Sequence, residues 1–134
     1  MGCDVITVST DTEHVHQAWK KHEKDLANVR YPMASDRNGN VSRLFGVYDD
    51  ETGHALRGSF IINPEGLVMN SEINLYNLGR NIDELMRKFK ANIYLAKKTT
   101  EACPSKWKEE GDKTLTPSPK LIGKVHEALN EPAA

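Results

Sequence analysis

The chain carries two thiols, Cys3 and Cys103, and its most obvious chemistry turns on which of them can become a nucleophile. A thiol reacts as its thiolate, which nearby cations favour and apolar burial suppresses. Cys103 lies in a polar stretch beside Pro104, with Lys106 and Lys108 close by, surroundings that predict an accessible and partly ionised sulfur. On its own it reads more readily as a buried structural cysteine, because free cysteines pack as small apolar residues. Cys3 precedes the run Val5-Ile6-Thr7-Val8 and is expected in the core. Two cysteines in a chain of this length do not make a disulfide scaffold; in a reducing compartment they are buried or redox-active. Arg57 enters a predicted strand and Arg80 precedes a predicted helix, and by position alone each is an ordinary charged surface residue. His14, His16 and His22 lack the spacing of four that places two imidazoles on one metal. They are expected to pack or face solvent. Trp19 and Trp107 read as packing anchors.

The elements that must position these side chains follow from periodicity. Val5-Ile6-Thr7-Val8 is short and β-branched, which predicts a buried strand near 3–9. Ser9-Thr10-Asp11-Thr12 offers helix caps. Val15, Ala18, Trp19, His22, Leu26 and Val29 then recur at helical spacing, predicting a helix over about 13–28 that stops at Tyr31-Pro32. Asp36 to Asn40 is turn chemistry, and Val41, Leu44 and Phe45 suggest a short helix ended by Gly46. A polar turn follows over 49–53. Strands near 56–62 and 67–73 flank Asn63-Pro64-Glu65-Gly66, whose proline and glycine positions fit a type I turn in an antiparallel hairpin. Ile82, Leu85, Met86, Phe89, Ile93 and Ala96 mark a helix near 81–97 with Asn81 as its cap. Beyond Lys98 the chain turns polar, with Pro104, Pro117, Pro119 and Pro132, and is expected to cross the surface or a partner rather than form core.

Composition narrows the field. The 134 residues suit one small domain, and 18 basic against 19 acidic residues argue against nucleic acid or an anionic membrane surface as partner. No stretch is long and apolar enough for a membrane span. No basic region leads into an apolar one at the N-terminus, so no export signal is visible and the cytoplasm is the expected location.

Four stretches together resemble the peroxiredoxins. They are Val8-Ser9-Thr10-Asp11 with His16, Ala18 and Trp19; Leu56-Arg57-Gly58-Ser59-Phe60-Ile61-Ile62-Asn63-Pro64-Glu65-Gly66; Leu78-Gly79-Arg80-Asn81-Ile82-Asp83-Glu84; and Glu101-Ala102-Cys103-Pro104-Ser105-Lys106-Trp107. Singly they are weak; in this order the set resembles the C-terminal part of a typical two-cysteine peroxiredoxin of the bacterial alkyl hydroperoxide reductase type. The resemblance implies an α/β, truncated thioredoxin-like fold: a mixed sheet with an antiparallel hairpin, flanking helices and a C-terminal tail. Residues 1–97 would form the partial core, and residues 98–134 the tail.

The same resemblance implies the chemistry. The parent reaction is thiol-dependent reduction of hydrogen peroxide and alkyl hydroperoxides. Cys103 matches the resolving cysteine, which attacks a sulfenic acid on a partner subunit. Arg57 and Arg80 match arginines near the active site, where a guanidinium lowers a thiol's pKa and hydrogen-bonds peroxide oxygens. No metal, flavin or haem is implied within the chain. A thioredoxin-like or flavoprotein disulfide reductase would recycle it, and the association expected is a homodimer or a pairing with a full-length peroxiredoxin. The peroxide-attacking cysteine belongs to a "PxxxTxxC" motif at a helix start, and these 134 residues contain none. The chain is therefore expected to be inactive alone, its missing segment lost to a selenocysteine codon, a frameshift or a split gene. The rival readings are a non-catalytic module that pairs with a full-length homologue, and a decayed remnant.

Overall fold

The computed structural model describes residues 2–131; Pro132, counted above with the tail prolines, lies outside them. The architecture is α/β and falls into two compact units. The first comprises residues up to Ser59 together with Ser71–Gly79, and the second Phe60–Asn70 together with the chain from Arg80 onward.

The first unit opens with a strand, helix and strand. Strand β1 (Thr7–Ser9) pairs in parallel with β2 (Met33–Ser35), with Thr7 opposite Met33 and Ser9 opposite Ser35. The strand expected near 3–9 is shorter than its apolar run and is not buried: Val5, Ile6 and Val8 are 51%, 63% and 43% exposed. A short apolar run marks a strand but does not supply what covers it. Cys3 is likewise exposed, which corrects the expectation that it lies in the core. Strand β2 was not expected, since Met-Ala-Ser carries no alternation.

Helix α1 (Glu13–His22) starts where the Thr12 hydroxyl accepts from the Val15 amide at 3.2 Å. It ends six residues before the expected position near 28. Glu23 turns extended, and only a single 3₁₀ turn follows at Lys24–Leu26. The late apolar positions Leu26 and Val29 thus fall outside the helix. Trp19 is 50% exposed and anchors no core within the chain. His16 is buried, its Nε2 2.6 Å from the Ser9 hydroxyl.

Helix α2 (Asn40–Leu44) is held by a side chain that periodicity does not reveal. The buried Asp36 carboxylate accepts from the Val41 amide at 3.0 Å and from the Ser42 amide and hydroxyl at 2.7 Å each. Gly39 precedes the helix at φ +70°, and a Cβ there would lie 2.3 Å from the Tyr48 ring, so both backbone and space require glycine. The expected polar turn joins two very short antiparallel strands, β3 (Tyr48–Asp49) and β4 (His54–Ala55).

Strands β5 (Arg57–Ile62) and β6 (Val68–Asn74) form the expected hairpin. The Gly66 amide donates to the Asn63 carbonyl at 2.9 Å, and Gly66 takes φ +83°, a turn closed by a left-handed glycine. Strand β5 pairs with β6 and β1 with β2, so the mixed sheet is represented by three separate two-stranded pieces.

In the second unit, helix α3 (Ile82–Lys97) begins as expected, the Asn81 side chain accepting from the Glu84 amide at 3.0 Å. The tail departs from expectation. It contributes Trp107, 2% exposed and the most deeply buried large side chain among the described residues, and it ends in a short helix α4 (Val125–Asn130). Trp107 is the packing anchor the sequence suggested, set in a tail whose polar composition did not suggest core.

Candidate functional site

Cys103 sits six residues beyond Lys97, the last residue of α3, in a segment fixed on both sides. On the N-terminal side, Ala102 and Leu115 exchange backbone hydrogen bonds at 2.7 and 3.0 Å, stapling the segment back on itself. On the C-terminal side, the Trp107 amide donates to the Pro104 carbonyl at 2.9 Å and closes a turn. The Trp107 ring lies against Tyr94 of α3, with centroids 5.5 Å apart and planes tilted by 44°. The Glu101 carboxylate accepts from the Tyr94 hydroxyl at 2.6 Å and the Thr114 hydroxyl at 2.5 Å. Sequence periodicity does not show Tyr94 and Thr114: Tyr94 lies off the Ile82–Ala96 apolar stripe, on the side of α3 that carries Arg87.

The electrostatics of the thiol differ from the expectation. Cys103 is a free, half-buried cysteine. Burial pushes its pKa up, the Arg87 cation pulls it down, and the Glu101 carboxylate pushes it up again, leaving it above the ordinary thiol value. An accessible, partly ionised sulfur activated by Lys106 and Lys108 is therefore not what the structure holds. The cation that acts on the sulfur comes from α3. Glu101 itself is lowered, first by the Thr114 and then by the Tyr94 hydrogen bond.

Arg57 is the first residue of β5, exposed and in the first unit. Its Nε donates to the Tyr76 carbonyl at 2.6 Å. The Tyr76 hydroxyl in turn donates to Asp49 at 2.7 Å, and the Thr52 hydroxyl donates to the same carboxylate oxygen at 3.0 Å. Those two hydroxyls hold the Asp49 carboxyl below its ordinary value. Arg80 is exposed immediately before the Asn81 cap, in the second unit with Cys103. The charges that act on Cys103 are thus Arg87 and Glu101, while Arg57 belongs to a separate network built on Asp49 and Tyr76. Among the described residues, no three His, Cys, Asp or Glu side chains gather as a metal site, and no helix is long and apolar enough to cross a membrane.

The site is thus a free thiol on a pinned segment behind a helix, in a chain of strand-helix-strand and hairpin pieces. Residues 1–71 match the AhpC/TSA family, and the chain belongs to that family. It is 46% identical over 125 residues to alkyl hydroperoxide reductase C of Staphylococcus aureus (strain Mu50), a match covering 93% of this chain and 66% of that protein. The crystal structure of Enterococcus faecalis AhpC superposes with a TM-score of 0.72 at 42% identity, over 76% of this chain and 61% of the other. The reduced 2-Cys peroxiredoxin of Plasmodium vivax superposes with a TM-score of 0.80 at 27% identity, over 87% and 61%. The chain spans just under two thirds of the length of the curated relatives it matches. It is a member of the peroxiredoxins of the alkyl hydroperoxide reductase type and covers part of their thioredoxin-like fold.

Proposed function

We propose that this chain provides the resolving half of a peroxiredoxin reaction, with Cys103 as the resolving thiol and Arg57 and Arg80 as arginines that assist at the peroxide. In that reaction a peroxidatic thiolate attacks one peroxide oxygen. The O–O bond breaks, an alkoxide or hydroxide leaves, and a sulfenic acid remains. The Cys103 thiolate then attacks the sulfenic sulfur. An S–S bond forms, the S–O bond breaks, and hydroxide leaves to become water. A dithiol of a thioredoxin-like or flavoprotein disulfide reductase takes over the disulfide by exchange. This sulfur chemistry needs no metal, flavin or haem within the chain.

The observation that carries the reading is the placement of Cys103. It is an unpaired thiol inside the Glu101–Trp107 stretch, held between the Ala102–Leu115 bridge and the Trp107 turn, in a chain 46% identical to alkyl hydroperoxide reductase C. The reading takes residues 98–134 as the tail that delivers this thiol and residues 1–97 as the partial core that delivers the arginines. The attacking sulfur comes from outside these 134 residues, since Cys3 is exposed ahead of a strand and lacks a helix start to favour its thiolate. By itself the chain is inactive; it works in the cytoplasm, as a homodimer or with a full-length peroxiredoxin.

The test mixes the pure chain with a full-length homologue whose own resolving cysteine is serine, then adds hydrogen peroxide. The expected product is a mixed disulfide through Cys103, found by mass spectrometry and lost in Cys103→Ser. Absence of that disulfide defeats the reading, and so does peroxide turnover by the chain alone. The alternative, a non-catalytic module that pairs with a full-length homologue and offers it Cys103, predicts peroxide turnover only when that homologue is added, and turnover by the chain alone defeats it.

A further inference from the structure

Arg87 is tied into the resolving segment at several points, and no sequence motif drew notice to it. It lies in the middle of α3, one turn after the Asn81 cap residues, and is half-buried. Its Nε and Nη2 donate to the two Glu84 oxygens at 2.6 and 2.9 Å, a forked pair that fixes the plane of the guanidinium. Its remaining nitrogen, Nη1, donates to the Trp107 carbonyl at 3.1 Å. The Trp107 amide closes the turn onto Pro104, the residue next to Cys103. One side chain therefore joins the helix to the turn that carries the thiol.

We propose that Arg87 is the positioning residue for Cys103: its fork holds the Pro104–Trp107 turn to α3 and keeps one fixed cation beside the sulfur that must become a thiolate. This deepens the resolving reading above and rests on it for its biological meaning. Lysine could not replace it, because a single ammonium cannot satisfy Glu84 in two places and reach the Trp107 carbonyl in a set plane. Glu84 plays a double part. It orients the guanidinium, and its negative charge partly offsets the cation that the sulfur feels. The charged and titratable groups bearing on Cys103 are Arg87 and Tyr94 from α3 and Glu101 on the thiol's own segment; behind them Glu84 pairs with Arg87 and Lys88, and Lys98 acts on Glu101. Of these, Arg87 favours the thiolate directly and Glu101 opposes it.

The charge role and a purely mechanical role have opposite consequences. Loss of a mechanical clamp loosens the turn, uncovers the thiol and speeds its modification. Loss of a charge partner disfavours the thiolate and slows it. The experiment measures the rate of iodoacetamide alkylation of Cys103 against pH in the whole chain, on a Cys3→Ser background so that one thiol reports. Arg87→Met is expected to move the reactivity midpoint to higher pH and to slow alkylation at pH 7 by about threefold or more. Glu84→Gln, which leaves the cation and removes its offset, is expected to move the midpoint to lower pH and raise the rate. The midpoint decides, because loosening the turn changes the limiting rate at high pH while the charge changes the midpoint: an unchanged or lower midpoint in Arg87→Met, with its circular dichroism retained, overturns the proposal. If Arg87→Met loses its fold, Glu84→Gln decides, and a midpoint that rises or stays unchanged overturns it. The measurement uses the chain without peroxide or partner, so its failure is distinct from failure of the mixed-disulfide experiment.

Discussion

The two units bury different kinds of side chain, and each treats its thiol accordingly. In the first unit the buried set is largely polar: His16, Asp36 and Ser42, with Val47 as the apolar member. In the second, the deeply buried group is the Trp107 indole. A buried carboxylate is stable only while its hydrogen bonds are made, whereas an indole holds through area and shape. The first unit leaves Val5, Ile6 and Val8 beside an exposed Cys3. The second folds its tail over α3 and half-buries Cys103. Order in the first unit rests on polar hydrogen bonds, caps and short strand pairings. In the second it is tertiary packing, and that is where the candidate thiol sits.

The largest effect that would break this contrast is at the tryptophans. Trp107→Ala should cost about 3–5 kcal/mol of unfolding free energy, as the loss of a large buried ring does, while Trp19→Ala, at a half-exposed ring, should cost far less. Urea unfolding of the two variants measures both. Equal losses would show that the second unit is not organised around its indole. A smaller effect belongs to the first unit. Asp36→Ala removes the acceptor for Val41 and Ser42 and should cost about 1–2 kcal/mol, the upper range for a lost helix cap. Burial works to raise this carboxyl, but the Ser42 and Val41 hydrogen bonds outweigh it and hold it below its ordinary value. Its stabilisation is therefore present at neutral pH and lost as pH falls through the acid range. A variant as stable as the parent would mean that solvent caps α2 equally well.

These differences mark how far the amino-acid pattern could be read. Helix α3, its Asn81 cap and the Asn63–Gly66 turn were legible, because caps and turns act on neighbours a few residues away. The end of α1 was not: Leu26 and Val29 continue the apolar rhythm although the chain has already left the helix at Glu23. The parallel partner Met33–Ser35 has no pattern of its own and exists only through pairing with β1. At the candidate site, the motif around Cys103 could be read; the same reading named Arg57, which belongs to the Tyr76 and Asp49 network of the first unit, and Arg80, which stands exposed before the Asn81 cap. The thiol's electrostatics could not be read, because Lys106 and Lys108 are near in sequence while Arg87, from the preceding helix, is the cation that acts. Proximity along the chain predicts charge effects poorly wherever a segment folds back on a helix.

The smallest expected effect sharpens the picture of that fold-back. The Glu101 carboxylate gathers the Tyr94 and Thr114 hydroxyls, joining α3, the residue two before Cys103 and the returning segment beside Leu115. Its folded pKa is lowered, first by Thr114 and then by Tyr94, so the unfolded chain binds the proton more readily. The linkage then has one sign: the carboxylate's contribution is present above the ordinary glutamate value of 4.5 and is lost as pH falls below it. Tyr94→Phe keeps the ring against Trp107 and removes one of the two donors. Its stability should match the parent most closely at low pH, where Glu101 is protonated in both, and fall behind as pH rises past 4.5. Unfolding free energies measured across that range test this. A Tyr94→Phe deficit that is constant with pH would place the tyrosine's contribution in ring packing alone and leave Glu101 as a surface charge with no part in holding the thiol's segment.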